Sequence, residues 1–197
     1  MFQLDDATAK VANFNPRAEK HGQDNVTAGD IKIVVTTSNG VLDHFSKKLR
    51  AALYRKALKG EQQDLIDGGE ALVAVQFPRI GAIAWDEEFP GYEIEIGGSL
   101  GLTEPLVLVD VTLKKFRFQP LEGGSVAVTF SAICHPDAEE AGQLCQLIQN
   151  EVQLIVRPPT KPAQQPQADV GDTLDHQDAA DADAEAQRLI EAGRQAA

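Results

Sequence analysis

Eleven cationic side chains fall into three groups that a phosphate-bearing strand would meet. Arg17 and Lys20 lie in the polar segment Asn13-Phe14-Asn15-Pro16-Arg17-Ala18-Glu19-Lys20-His21-Gly22. Lys47, Lys48, Arg50, Arg55 and Lys56, with Lys59, place six cations in thirteen residues with no acid among them. Lys114, Lys115 and Arg117 interleave with Phe116 and Phe118. Cations can pair with phosphates while a ring stacks on a base, which is the chemistry of single-stranded nucleic acid binding. Phe14, Tyr54, Phe116 and Phe118 are the rings near these cations. Each group also has a plainer reading: a charge-balanced hairpin tip, a solvated helix face, and core rings with cations guarding a strand edge.

No supported catalytic constellation is found. The chain has no Gly-x-Ser-x-Gly, no phosphate loop ending in Gly-Lys-Ser/Thr and no His-Glu-x-x-His. Cys134, His135 and Cys145 have zinc-ligand chemistry but lack a fourth ligand and paired Cys-x-x-Cys spacing. They read more simply as a loop histidine and two cysteines facing the core. Asp86, Glu87 and Glu88, with Glu93 and Glu95, suit a hard cation, but no loop of the EF-hand type spaces them. A solvated turn and the outer face of a strand account for them. No catalytic residue, metal ligand or cofactor is assigned.

The 197 residues carry a net charge of −12, which makes indiscriminate adhesion to nucleic acid or anionic membrane unfavourable. That charge is uneven. Residues 1–157 hold 15 Lys and Arg against 22 Asp and Glu, a net −7, and residues 158–197 supply the other −5. The two cysteines are too few for a disulfide scaffold. No eighteen-residue apolar run exists, and Met-Phe-Gln-Leu-Asp-Asp at the start lacks the pattern of a signal peptide. A cytoplasmic protein with no membrane partner is expected; its oligomeric state is open.

The elements that would position these groups are mainly strands. Period-two alternation runs through Ile31, Ile33 and Val35, through Tyr92, Ile94 and Ile96, through Val126, Val128 and Phe130, and through Val152, Leu154 and Val156. Weaker strands are expected at 7–14, 71–77 and 82–85. The polar segment from Asn13 to about Gly29 reads as a long loop between the first two strands. In 106–118, Val107, Val109, Val111 and Leu113 share one parity, and Phe116 and Phe118 take the other. A bulge near Lys114, or a strand crossing between two packing surfaces, would reconcile them. The turn at 119–124 then makes a hairpin with 125–134. A helix is expected over 41–58. A second begins at Asp137, where Glu140 completes a capping box, with an apolar stripe of Ala141, Leu144, Cys145 and Ile148. The expected fold is mainly β (α+β): an antiparallel β-sandwich or OB-like partly closed barrel with two short packed helices, spanning 1–157. The proline-rich stretch after Arg157 reads as a linker, and the acidic remainder to 197 as a largely disordered tail.

The segment 12–22, and Asp110-Val111-Thr112-Leu113-Lys114-Lys115-Phe116-Arg117-Phe118 with its Glu122-Gly123-Gly124 turn, resemble small β-rich proteins encoded by tailed bacteriophages and prophages. The resemblance covers the body of the chain and implies action inside a bacterial cell, with some such genes near replication and recombination functions. Two classes of function follow. One is an accessory of phage DNA metabolism that binds single-stranded DNA, with an acidic tail that recruits partners. The tail ends in Gly193-Arg194-Gln195-Ala196-Ala197, without the acidic run closing on an aromatic that such tails carry. The other is a protein-interaction module, such as a counter-defence inhibitor or a small structural protein, whose acidic surface meets a phage or host protein.

Overall fold

A computed structural model describes residues 1–21, 24–57, 72–98 and 104–160. Nine strands lie within them: β1 (Leu4–His21), β2 (Asp24–Ser38), β3 (Tyr54–Lys56), β4 (Leu72–Val75), β5 (Ile83–Trp85), β6 (Phe89–Gly97), β7 (Leu106–Leu121), β8 (Ser125–Cys134) and β9 (Glu151–Arg157). β7, β6, β9, β1, β2 and β8 pair antiparallel in that order, and β8 pairs back to β7. The result is a closed six-stranded barrel. β5 lies outside this ring, beside β7 from Phe116 to Phe118, past the stretch of β7 that pairs with β6. β3 and β4 form a separate two-stranded ribbon. The chain divides into the units Met1–Thr160 and Lys161–Ala197, and all the described residues belong to the first. The acidic tail therefore lies outside the described residues.

Closure demands curvature, and bulges supply it. Register shifts in β1 and β7 fall at Asp6, Asp110 and Lys115, all in left-handed backbone, with φ of 47°, 53° and 56°. The bulge expected near Lys114 is thus present, at Lys115. It lets Leu113 and Phe116 both face the interior. The earlier half of β7 differs from the expectation. Leu106 and Leu108 face inward, while Val107 and Val109 are 44% and 66% exposed. A second bulge at Asp110 returns Val111 to the interior, a phase change that alternation alone hid.

The interior is filled by rings. Phe116 stacks on Phe130 at 5.4 Å, and Phe2 meets both edge-on at 5.3 and 5.6 Å. Phe45 packs between Phe116 and Phe118 at 5.0 and 4.7 Å. Such pairs add about 0.5–1.5 kcal/mol each beyond their buried area. Phe2 and Phe45 come from outside the strands, so the N-terminus and the segment after β2 close one region of the core.

Two expected elements change. The 41–58 helix is broken into a 3-10 turn at Asn39–His44, a five-residue α-helix, α1 (Leu49–Leu53), and β3. Its leucine spacing is real, but the barrel claims Leu42 and Phe45 while Tyr54 leaves the helix to hydrogen-bond the Ser125 carbonyl. The loop expected from Asn13 to about Gly29 is instead strand. β1 and β2 stay paired from Asn15↔Asp30 out to His21↔Asp24, and from Arg17↔Ala28 onward they run beyond both the last β9 partner of β1 at Lys10 and the last β8 partner of β2 at Gly29. The polar composition marks a hairpin arm that leaves the barrel and has no core to face. At its base Phe14 packs on Gly29, where a Cβ would lie 2.3 Å from the ring. The second helix, α2 (Ala138–Leu147), carries the expected capping box, with Asp137 and Glu140 exchanging hydrogen bonds of 2.8 Å. Its buried residues are Leu144 and Leu147; Cys145, placed on the core stripe by spacing, is exposed.

Candidate nucleic-acid interface

Inward side chains on β2, β7 and β8 force their neighbours onto the outer face. Ile31, Ile33, Val128, Phe130, Leu113, Phe116 and Phe118 are buried, which turns Lys32, Val34, Thr129, Ser131, Lys114 and Arg117 outward. Cross-strand register then sorts these residues into rows. Lys32 and Lys114 lie opposite Ser131 from its two sides. In the next row Val34, Thr129, Arg117 and Ala84 follow one another across β2, β8, β7 and β5. Two strand spacings put Lys32 and Lys114 about 10 Å apart at the backbone. Lys115 joins them from its bulge.

This face is hollowed into a groove of about 880 Å³ whose lining includes Lys32, Lys115, Arg117, Gln119, Trp85 and Asp86. Between the cations its floor is small and neutral: Val34, Ala127, Thr129 and Ser131. No carboxylate among the described residues forms an ion pair with Lys32, Lys115 or Arg117. Asp86 is the one acid in the lining, and Glu87 beside it accepts a 2.8 Å hydrogen bond from the Trp85 indole. The groove thus sets three cations against one carboxylate.

The other candidate cations lie elsewhere. Arg17, on the arm, is held by Glu19 at 2.7 Å and Asp30 at 2.8 Å. Glu19 also lies 3.6 Å from His135, and its carboxyl is held below the usual carboxylate range, chiefly by the hydrogen bond from Arg17. Lys20 is exposed farther out on the arm. The second group shares no helix face. Lys47 and Lys48 occupy the turn before α1, Arg50 reaches Asp43 at 3.4 Å, and Arg55 and Lys56 sit on β3. Lys59 lies outside the described residues.

Of the eleven cations, Lys115 and Arg117 line the groove and Lys114 stands beside it. Lys32 and Trp85 line the groove as well, and neither carries a local signal in the sequence: Lys32 is a single polar residue between Ile31 and Ile33. The four rings proposed to stack on bases are all buried: Phe14, Tyr54, Phe116 and Phe118 are at most 5% exposed. Phe14, Phe116 and Phe118 lie on the inner side of barrel strands, and Tyr54, on β3, is buried with its hydroxyl donating to the Ser125 carbonyl. Arg117 does not guard an open edge, since β7 is paired there with β5 on one side and β8 on the other.

The zinc reading also fails on geometry. No group of three or more His, Cys, Asp or Glu side chains among the described residues gathers to hold a metal. Cys134 is buried against the Gly29 carbonyl, and burial pushes its thiol up to about 12. Glu93 and Glu95 lie on the outer face, where both accept from Arg157, at 2.7 and 2.8 Å. No described helix is long and apolar enough to cross a membrane. No protein-family model, curated protein or solved structure matches the chain.

Proposed function

We infer that the chain is a non-enzymatic accessory protein of DNA metabolism, of the phage or prophage kind its two quoted segments resemble, and that it holds the backbone of single-stranded DNA along the outer groove. The observation that carries this reading is the lining of that groove: Lys32, Lys115 and Arg117 around a small neutral floor, with no ion-pair partner among the described residues. Cations left without a structural partner attract phosphates, which also release counterions. Backbone strain supports the same side chain. A left-handed residue costs about 1–2 kcal/mol unless it is Gly, Asn or Asp. The bulges at Asp6 and Asp110 follow that preference, and the one at Lys115 does not.

Binding is read from the anisotropy of a labelled oligothymidylate titrated with the full chain at low salt. Lys115→Glu/Arg117→Glu is expected to weaken it at least tenfold, whereas Lys47→Glu/Lys48→Glu, away from the groove, changes it little. Equal losses from both pairs would mean that only general charge matters, and would sink the groove as the site.

A second reading is a protein-interaction module, favoured by the exposed apolar pair Val107 and Val109, the former opposite Glu95 on β6. Under it, Lys115→Glu/Arg117→Glu changes nothing and Val109→Lys abolishes partner capture.

A further inference from the structure

The segment between β4 and β5 runs along one end of the groove. Ala82 lines the groove just before β5, and the Ile80 carbonyl accepts a 3.4 Å hydrogen bond from Nε2 of Gln119, which lines it too. Immediately before Ile80 the chain makes a tight turn. The Ile80 amide donates to the Phe77 carbonyl at 2.9 Å, with Pro78 and Arg79 between them. Proline in the second position fixes φ near the value such a turn requires, so the turn is stiff. Its first and third residues are on show. Phe77 is 54% exposed, and Arg79 is exposed with no ion-pair partner among the described residues. A large ring left in water on a rigid turn has no task in the core.

We propose that Phe77 is the base-stacking platform of this site and Arg79 its accompanying cation, which makes the ligand an unpaired strand rather than duplex. This rests on the groove reading above and adds to it an exposed ring on the turn next to the groove. The groove cations meet phosphates, which single and double strands both present. A ring needs an open base face, which a duplex hides within its stack. Phosphates in the groove and a base on Phe77 therefore select single-stranded nucleic acid. Because every base has such a face, the selection is for strandedness and not for sequence.

The test compares full-length wild type, Phe77→Ala, Phe77→Leu and Lys115→Glu/Arg117→Glu for binding to oligothymidylate and to a duplex of equal length. Phe77→Ala and Phe77→Leu are expected to lose about tenfold in affinity for the single strand, with duplex binding unchanged. Leucine keeps apolar bulk without the π face, and an exposed site tolerates both changes, which circular dichroism verifies. In Phe77→Trp the added indole is expected to be quenched as the oligonucleotide binds. Unchanged single-strand affinity in Phe77→Ala, alongside loss in Lys115→Glu/Arg117→Glu, would overturn the stacking role and leave the groove reading standing. Absence of any wild-type binding would overturn both.

Discussion

Two stretches of the barrel's outer surface hold cations in different company. Over β6 and β9, Arg157 is gripped by Glu93 and Glu95 at 2.7 and 2.8 Å, so its charge is satisfied within the fold. Over β2, β8 and β7, Lys32, Lys115 and Arg117 face a groove floored by threonine, serine, valine and alanine. Both stretches are built by the same alternation on the same closed sheet. What separates them is the residue across the strand. Opposite Arg157 stands Glu93, and opposite Arg117 stand Thr129 and Ala84. The first arrangement is a surface fork that contributes little to stability, and the second leaves its cations without an ion-pair partner among the described residues.

The comparison can be broken from several directions. The largest effect is expected from the rings beneath the groove. Phe116→Ala should cost about 3–5 kcal/mol, enough to unfold much of the population, seen as a large drop in the urea midpoint. An unchanged midpoint would mean that the stacked cluster does not hold β7 in place. Lys32→Glu comes next. It should weaken oligothymidylate binding several-fold with the midpoint unmoved, whereas Arg157→Ala should leave binding unchanged and shift stability by less than about 1 kcal/mol. If Arg157→Ala hurt binding as much as Lys32→Glu, the two surfaces would not differ in kind.

Lys115→Gly sharpens the same point. Relief of left-handed strain should raise stability by up to about 1 kcal/mol while binding falls a few-fold. A variant that is more stable and binds as well as wild type would remove the functional case for that lysine. The smallest effect concerns the thiols. One cysteine, Cys145, should react with a thiol reagent at neutral pH in the native protein, and Cys134 only on unfolding. Burial raises the Cys134 pKa from 9.0 to about 12. The unfolded thiol ionises first, so any stability tied to this group is intact below about 9 and declines as pH rises toward 12. Equal reactivity of both thiols in native protein would contradict the placement of β8.

Alternation identified most of the barrel strands, because a half-buried strand writes its two faces directly into the chain. The bulge at Lys115 was legible for the same reason: Phe116 and Phe118 break the parity set by Leu113. The β7–β8 hairpin was legible from its turn, and a partly closed barrel was among the expected folds; the strand order was not legible, since the β2–β8, β1–β9 and β6–β9 pairings join distant segments and leave no local mark. The arm was misread because polar residues with no core beneath them look alike in a loop and in a ribbon. Within the site, Lys115 and Arg117 were found through their clustering. Lys32 is silent in the sequence because a single lysine in a strand becomes informative only through Ser131 and Lys114, which the register places beside it. Phe77, too, became informative only once its turn was known to stand at the end of the groove.

The central claim is that a few groove cations, and not the net charge of the chain, govern binding to a single strand. The salt dependence of oligothymidylate affinity tests it most directly. For about three phosphate contacts the logarithmic slope should be about −2 in wild type and clearly shallower in Lys115→Glu/Arg117→Glu. A slope near zero, or identical slopes in both proteins, would contradict it.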